Sequence, residues 1–189
     1  MNTINMVLCG LGGQGILLMT KVLSQAALLK DYKVMVAETH GMAQRGGSVV
    51  SHVRLGDVQG SLVQSGSAQV VLALEENEGY RNLPFLSTGG LLFVNTASSS
   101  FPREEIKGFV VHRNIACRSI PATSIALSLG VPQSSNLALL GYFSAYGDEP
   151  FNHDHLRTVV METLPDRIRE NNLKVFDAAF ERGMEEKGK

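Results

Sequence analysis

Short apolar runs punctuated by glycine dominate the first half of this chain. Residues 6–9 (MVLC) form an uninterrupted apolar run, the pattern of a strand buried on both faces. Glycines follow at once, and over residues 16–29 the apolar side chains Ile16, Met19, Val22, Leu23, Ala26, Ala27 and Leu29 recur at a helical period. Residues 34–37 predict a second buried strand. Residues 49–55 alternate and are β-branched, which favours a third. Runs at 70–74 and at 91–94, the latter introduced by Gly89-Gly90, predict two more, and 109–112 a weaker one. Strand, helix and strand at the start imply a parallel pair with a right-handed crossover. The last third reads as helix: 122–129 ending at Gly130, an apolar core helix over 136–146, and amphipathic or polar helices over 153–164 and 174–186, separated at Pro165. The expected fold is α/β: a doubly wound, Rossmann-like, mostly parallel sheet with helices on both faces and a helical C-terminal segment. No repeat or linker interrupts it, so residues 1–189 are expected to form one domain.

Charge sharpens this picture. Residues 1–74 carry eight charged side chains and residues 150–189 carry fifteen, so the first part reads as buried elements and loops and the last as surface helices. Seventeen basic residues against eighteen acidic ones leave a net charge of −1, which argues against a general nucleic-acid or anionic-membrane binder. The two cysteines, Cys9 and Cys117, form no CxxC pair and fall short of the four thiolates an iron–sulfur cluster usually takes. The N-terminus lacks the basic and apolar regions of a secretory signal, and no run approaches a membrane span, so a cytoplasmic protein is expected.

Two glycine-rich stretches carry the chemistry. Residues 10–15 (GLGGQG) match G-x-G-x-x-G between a strand and a helix, a setting in which the helix N-terminus offers free N–H groups and a positive dipole end to an anion. Glu38 closes the second strand 23 residues beyond Gly15, near where a ribose-binding acid would sit. Dinucleotide binding and simple tight packing both account for the motif. The second stretch, residues 38–48 (ETHGMAQRGGS), is polar and flanked by apolar strands. Its Gly46-Gly47 pair lets amides face outward, and Arg45 can clamp a carboxylate or phosphate at two points. Following a strand, it should emerge at the same sheet edge as the first loop and there make an anionic-ligand or subunit-contact surface; a solvated connection is the alternative.

The remaining candidates have plain structural readings as well. His40 and His52 are possible general bases. His153 and His155 flank Asp154, where capping by Asn152 or Asp154 competes with metal binding. Cys9 suits a strand interior, and Glu75, Glu76 and Glu78 suit the dipole of a helix start.

Gly12-Gly13-Gln14-Gly15-Ile16, Gly41-Met42-Ala43-Gln44-Arg45-Gly46-Gly47-Ser48-Val49 leading into His52-Val53-Arg54, Ala73-Leu74-Glu75, and Asn136-Leu137 with Leu140-Gly141 together resemble the gamma subunit or domain of 2-oxoacid:ferredoxin oxidoreductases, most of all the beta subunit of the indolepyruvate enzymes. The resemblance spans nearly the whole chain. It implies a part in converting a 2-oxoacid and coenzyme A to acyl-CoA and CO₂, with electrons passed to ferredoxin. It also implies a larger alpha subunit carrying thiamine diphosphate and the iron–sulfur clusters, so that this chain holds no cofactor alone, binds neither nucleic acid nor membrane, and is inactive alone. No catalytic or metal-binding residue follows. The residues expected to line the coenzyme A approach or the subunit seam are Gly12, Gly13, Gln14, Gly15, Thr39, His40, Gly41, Gln44, Arg45, Gly46, Gly47 and Ser48. A stand-alone dinucleotide-binding oxidoreductase and a non-catalytic assembly subunit are the alternatives.

Overall fold

The structure, a computed structural model, describes residues 3–41 and 46–188. Six strands, β1 (Ile4–Leu11), β2 (Val34–His40), β3 (Ser48–Leu55), β4 (Ala68–Ala73), β5 (Leu86–Asn95) and β6 (Ala116–Ile120), form one sheet in the order β2-β3-β1-β4-β5-β6. β1, β4, β5 and β6 pair in parallel, while β3 runs antiparallel to both β1 and β2.

The run at residues 6–9 behaves as its composition demands. Successive side chains of a strand point to opposite faces. Met6 and Leu8 enter one core while Val7 and Cys9 enter the other, and all four are fully buried. The Met6 face is covered by α1 (Ile16–Leu28), α4 (Ala122–Ser128), α5 (Ser135–Ser144), α6 (His153–Thr163) and α7 (Asp166–Lys187). The Val7 face is covered by α2 (Glu76–Asn82) and α3 (Glu104–His112). The expected sheet with helices on both faces and a helical C-terminal segment is what forms.

Three expectations need correction. β1 and β2 run in the same direction, but they are not neighbours, because β3 lies between them. The connection from β2 to β3 is too short for a crossover and makes an antiparallel pair, and β3 then takes the edge of β1 that a second parallel strand would occupy. β2 is accordingly an end strand, half exposed rather than buried. Finally, residues 109–112 are helix. Ile106, Phe109 and Val110 recur at i, i+3 and i+4, and Glu104 and Glu105 complement the dipole of α3 at its start. The strand falls instead at Ala116–Ile120, where ACRSI occupies the far edge of the sheet and needs no apolar run.

Candidate functional site

The first glycine loop turns from β1 into α1. Gly13 and Gly15 adopt φ of 95° and 89°, values that L side chains avoid, and Gly15 caps α1 in the left-handed region without a side-chain bond. No acidic residue stands in the first turn of α1, so its N-terminal amides meet no carboxylate of their own helix. Gln14 folds back over the loop. Its Oε1 accepts the Leu11 N–H at 2.8 Å, and its Nε2 donates to Glu75 Oε1 at 2.6 Å.

The second stretch joins the first directly. The Gly12 N–H donates to the Gly47 carbonyl at 2.9 Å, and the Gly41 N–H closes the base of the hairpin on the Ser48 carbonyl at 2.7 Å. Ser48 Oγ donates to Glu78 Oε2 at 2.6 Å. A cleft of about 600 Å³ opens between the two stretches, lined by Leu11, Gly12, Gly13, Gly15 and Ile16 on one side and His40 and Val49 on the other. It sits at the carboxyl ends of β1 and β2, on the edge of the sheet where open α/β folds take their ligands. The expectation that both loops emerge at one edge therefore holds.

Not every expected residue faces this cleft. Gln14 and Ser48 turn instead toward Glu75 and Glu78, and Thr39 lies on exposed β2 opposite Val50. Gly46 stands beside Gly47 with φ 73°. Gln44 and Arg45, with Met42 and Ala43, lie outside the described residues.

The dinucleotide reading of the first loop loses its acid. Glu38 is on β2, separated from β1 by β3, and its carboxylate lies 3.7 Å from His40 Nε2. The Gln14–Glu75 bond also spans the switch point between β1 and β4, the crevice where a dinucleotide would lie in such a sheet.

The other polar candidates resolve as structure. His52 is buried, its Nδ1 accepts the Val63 N–H at 3.3 Å, its ring meets Phe85 edge-on, and burial pushes its pKa down. Asn152, not Asp154, caps α6 by accepting the His155 N–H at 3.0 Å. His155 Nε2 lies 2.8 Å from the Ala26 carbonyl, and His153 stacks on Phe180. Glu78 is the residue that sequence reasoning undervalued. It reads as one of three acids at a helix start, yet it is 2% exposed and paired through Arg81 Nη1 at 2.5 Å. Nothing local distinguishes it from Glu75 and Glu76, since only the packing of α2 on the sheet buries it.

The cysteines do not fit a metal cluster. Cys9 on β1 and Cys117 on β6 are three strands apart, roughly 14 Å at the usual strand spacing. Burial, with the Glu78 carboxylate nearby, pushes the Cys9 thiol far up, and burial raises Cys117 to about 11. Among the described residues no group of three or more His, Cys, Asp or Glu side chains is arranged to hold an ion. Nor is any helix among them long and apolar enough to cross a membrane.

Fold and site together define an α/β protein: a doubly wound sheet whose two glycine loops are tied at one edge. The pyruvate ferredoxin/flavodoxin oxidoreductase family profile matches residues 5–182. The chain is 35% identical over 194 residues to the indolepyruvate oxidoreductase subunit IorB of Archaeoglobus fulgidus, covering 96% of each. Its fold superposes on a keto/oxoacid ferredoxin oxidoreductase gamma subunit from Geobacter sulfurreducens with a TM-score of 0.73 at 21% identity, over 96% of this chain and 99% of that one. It also superposes on a 2-oxoglutarate:ferredoxin oxidoreductase from Magnetococcus marinus, solved with 2-oxoglutarate, coenzyme A and succinyl-CoA bound, with a TM-score of 0.74 at 19% identity, over 97% of this chain but 30% of that longer one. The chain belongs to the pyruvate ferredoxin/flavodoxin oxidoreductase family, as the small subunit of a 2-oxoacid:ferredoxin oxidoreductase.

Proposed function

We propose that this chain serves an oxidoreductase acting on indolepyruvate or a related aryl pyruvate, and that its two-loop edge faces the coenzyme A approach or the seam with a larger subunit. The observation that carries the reading is the Gly12–Gly47 hydrogen bond, which ties the two loops beside the start of α1, where no side chain caps the helix. Amides with no side-chain cap at a helix start suit a phosphate or a carboxylate. Arg45, between the described ends of the second loop, adds a guanidinium of the kind that grips such groups in two places. Similarity to the IorB subunit supports the aryl substrate class.

The family's reaction draws its carbanion chemistry from thiamine diphosphate and its electron path from iron–sulfur clusters. The two widely separated cysteines of this chain, Cys9 buried and Cys117 half-buried, make it unsuited to hold a cluster, so the larger subunit is the proposed home of both cofactors, with ferredoxin as acceptor. This chain orients an anionic ligand and encloses the reactive centre, and the whole works as one cytoplasmic domain within a hetero-oligomer.

The test is a reconstituted complex assayed by viologen reduction with indolepyruvate, phenylpyruvate and pyruvate. The aryl substrates should be preferred, and Arg45→Ala should raise the KM for coenzyme A or weaken subunit association. Preference for pyruvate overturns the substrate class. An Arg45→Ala complex with both properties intact overturns the role of the edge.

A further inference from the structure

Glu78 is a carboxylate on α2 with 2% of its surface exposed, and a buried charge persists only when well paired. Both of its oxygens are engaged. Oε1 accepts from Arg81, one turn along the same helix, and the Arg81 side chain is 70% exposed. That pair needs nothing from the rest of the site. Oε2 accepts from Ser48 Oγ, and this bond joins residues 30 positions apart. Ser48 is the first residue of β3, where the second glycine loop ends. Its carbonyl accepts from Gly41, and the carbonyl of the preceding residue, Gly47, accepts from Gly12. One side chain from α2 thus grips the point at which the two loops meet, although Glu78 itself does not line the cleft.

We propose that Glu78 is a positioning residue that fixes, through Ser48, the register of the second glycine loop against the first, and with it the width of the cleft. Holding two glycine-rich segments in one arrangement opposes the conformational freedom that glycine brings. A charge-assisted bond supplies more restraint than a neutral one. The consequence for coenzyme A rests on the reading of the edge given above, whereas the consequence for the loops does not.

The test uses amide hydrogen exchange on the full chain, comparing the unaltered protein with Glu78→Leu, Glu78→Gln and Ser48→Ala. Protection of the Gly12 and Gly41 amides should fall about tenfold in Glu78→Leu and Ser48→Ala, the scale of one lost charge-assisted hydrogen bond. Protection of Val71, in the sheet interior, should not change. Glu78→Gln, whose amide oxygen can still accept from Ser48, should restore most of it. In the assembled enzyme Glu78→Leu should raise the KM for coenzyme A several-fold with kcat at saturation within about twofold. Unchanged protection at Gly12 and Gly41 in both Glu78→Leu and Ser48→Ala overturns the inference, as does a loss spread evenly over the sheet. Local loss of protection with an unmoved KM upholds the positioning role and removes the coenzyme A reading instead. Ser48→Ala leaves the Glu78–Arg81 pair intact, so the inference stays falsifiable if Glu78→Leu does not fold.

Discussion

The side chain of Asn136, at the start of α5, lies against the backbone of Gly15, at the start of α1, and its Nδ2 donates to the Gly15 carbonyl at 3.4 Å. Two residues 121 positions apart therefore set where α1 begins. A Cβ at residue 15 would come within 2.3 Å of Asn136 Nδ2, and φ there is +89°. Gly15→Ala should be destabilised twice, by about 1–2 kcal/mol for the left-handed backbone and further by displacing the amide. Urea denaturation of Gly15→Ala, alone and with Asn136→Ala, separates the two effects. The double variant should recover the steric part and leave the backbone part. Equal stability of Gly15→Ala and the parent protein would contradict the geometry.

A second glycine shows how differently the same substitution acts elsewhere. Gly141 of α5 faces the backbone of α7, and a Cβ would stand 2.0 Å from the Phe176 carbonyl oxygen, which no side-chain rotation relieves. Gly141→Ala must push two packed helices apart and should cost about 3 kcal/mol. Gly108, inside exposed α3, has nothing within 4 Å of its would-be Cβ. Gly108→Ala should gain about 0.5–1 kcal/mol from helix propensity alone. Thermal or urea unfolding should move the two in opposite directions, and a shift of the same sign in both would refute the assignment of Gly141 to a helix contact.

These positions show which parts of the molecule can be read from the chain and which cannot. Buried strands at residues 6–9, 70–74 and 91–94 announce themselves because both faces are packed, which forces continuous apolar runs. The core helix announces itself for the same reason, since every residue of α5 from Asn136 to Ser144 is buried. Edge elements do not. β6 is half exposed, so its sequence carries no such run, and residues 109–112 at the end of α3 read locally as a strand because Phe109, Val110 and Val111 are adjacent apolar residues. The place of β3 between β1 and β2 depends on long-range pairing that local pattern does not encode. The two glycine loops were legible as chemistry because backbone freedom and a guanidinium leave a compositional mark. Glu78 was not, since its burial is a property of α2 packed on the sheet.

His52 provides a prediction in pH. Burial holds its pKa below the ordinary 6.5, so the folded chain keeps the imidazole neutral while the unfolded chain takes up a proton as the pH falls through that value. Its contribution to stability is therefore complete above about pH 6.5 and is lost progressively below it, with a slope of at most about 1.4 kcal/mol per pH unit for one proton. The carboxylates of Glu149 and Glu170, drawn down from 4.5 by Lys30 and Lys174, respond at lower pH. The window from pH 7 to 5.5 lies above those carboxylates, and comparison with a variant at residue 52 separates His52 from the other four histidines of the chain. Urea midpoints of the parent protein should fall across that window. In His52→Asn, whose side-chain oxygen can still accept the Val63 N–H but does not titrate, they should fall less. A parent and variant with the same slope would mean that His52 accepts its proton in the folded state as readily as in the unfolded chain.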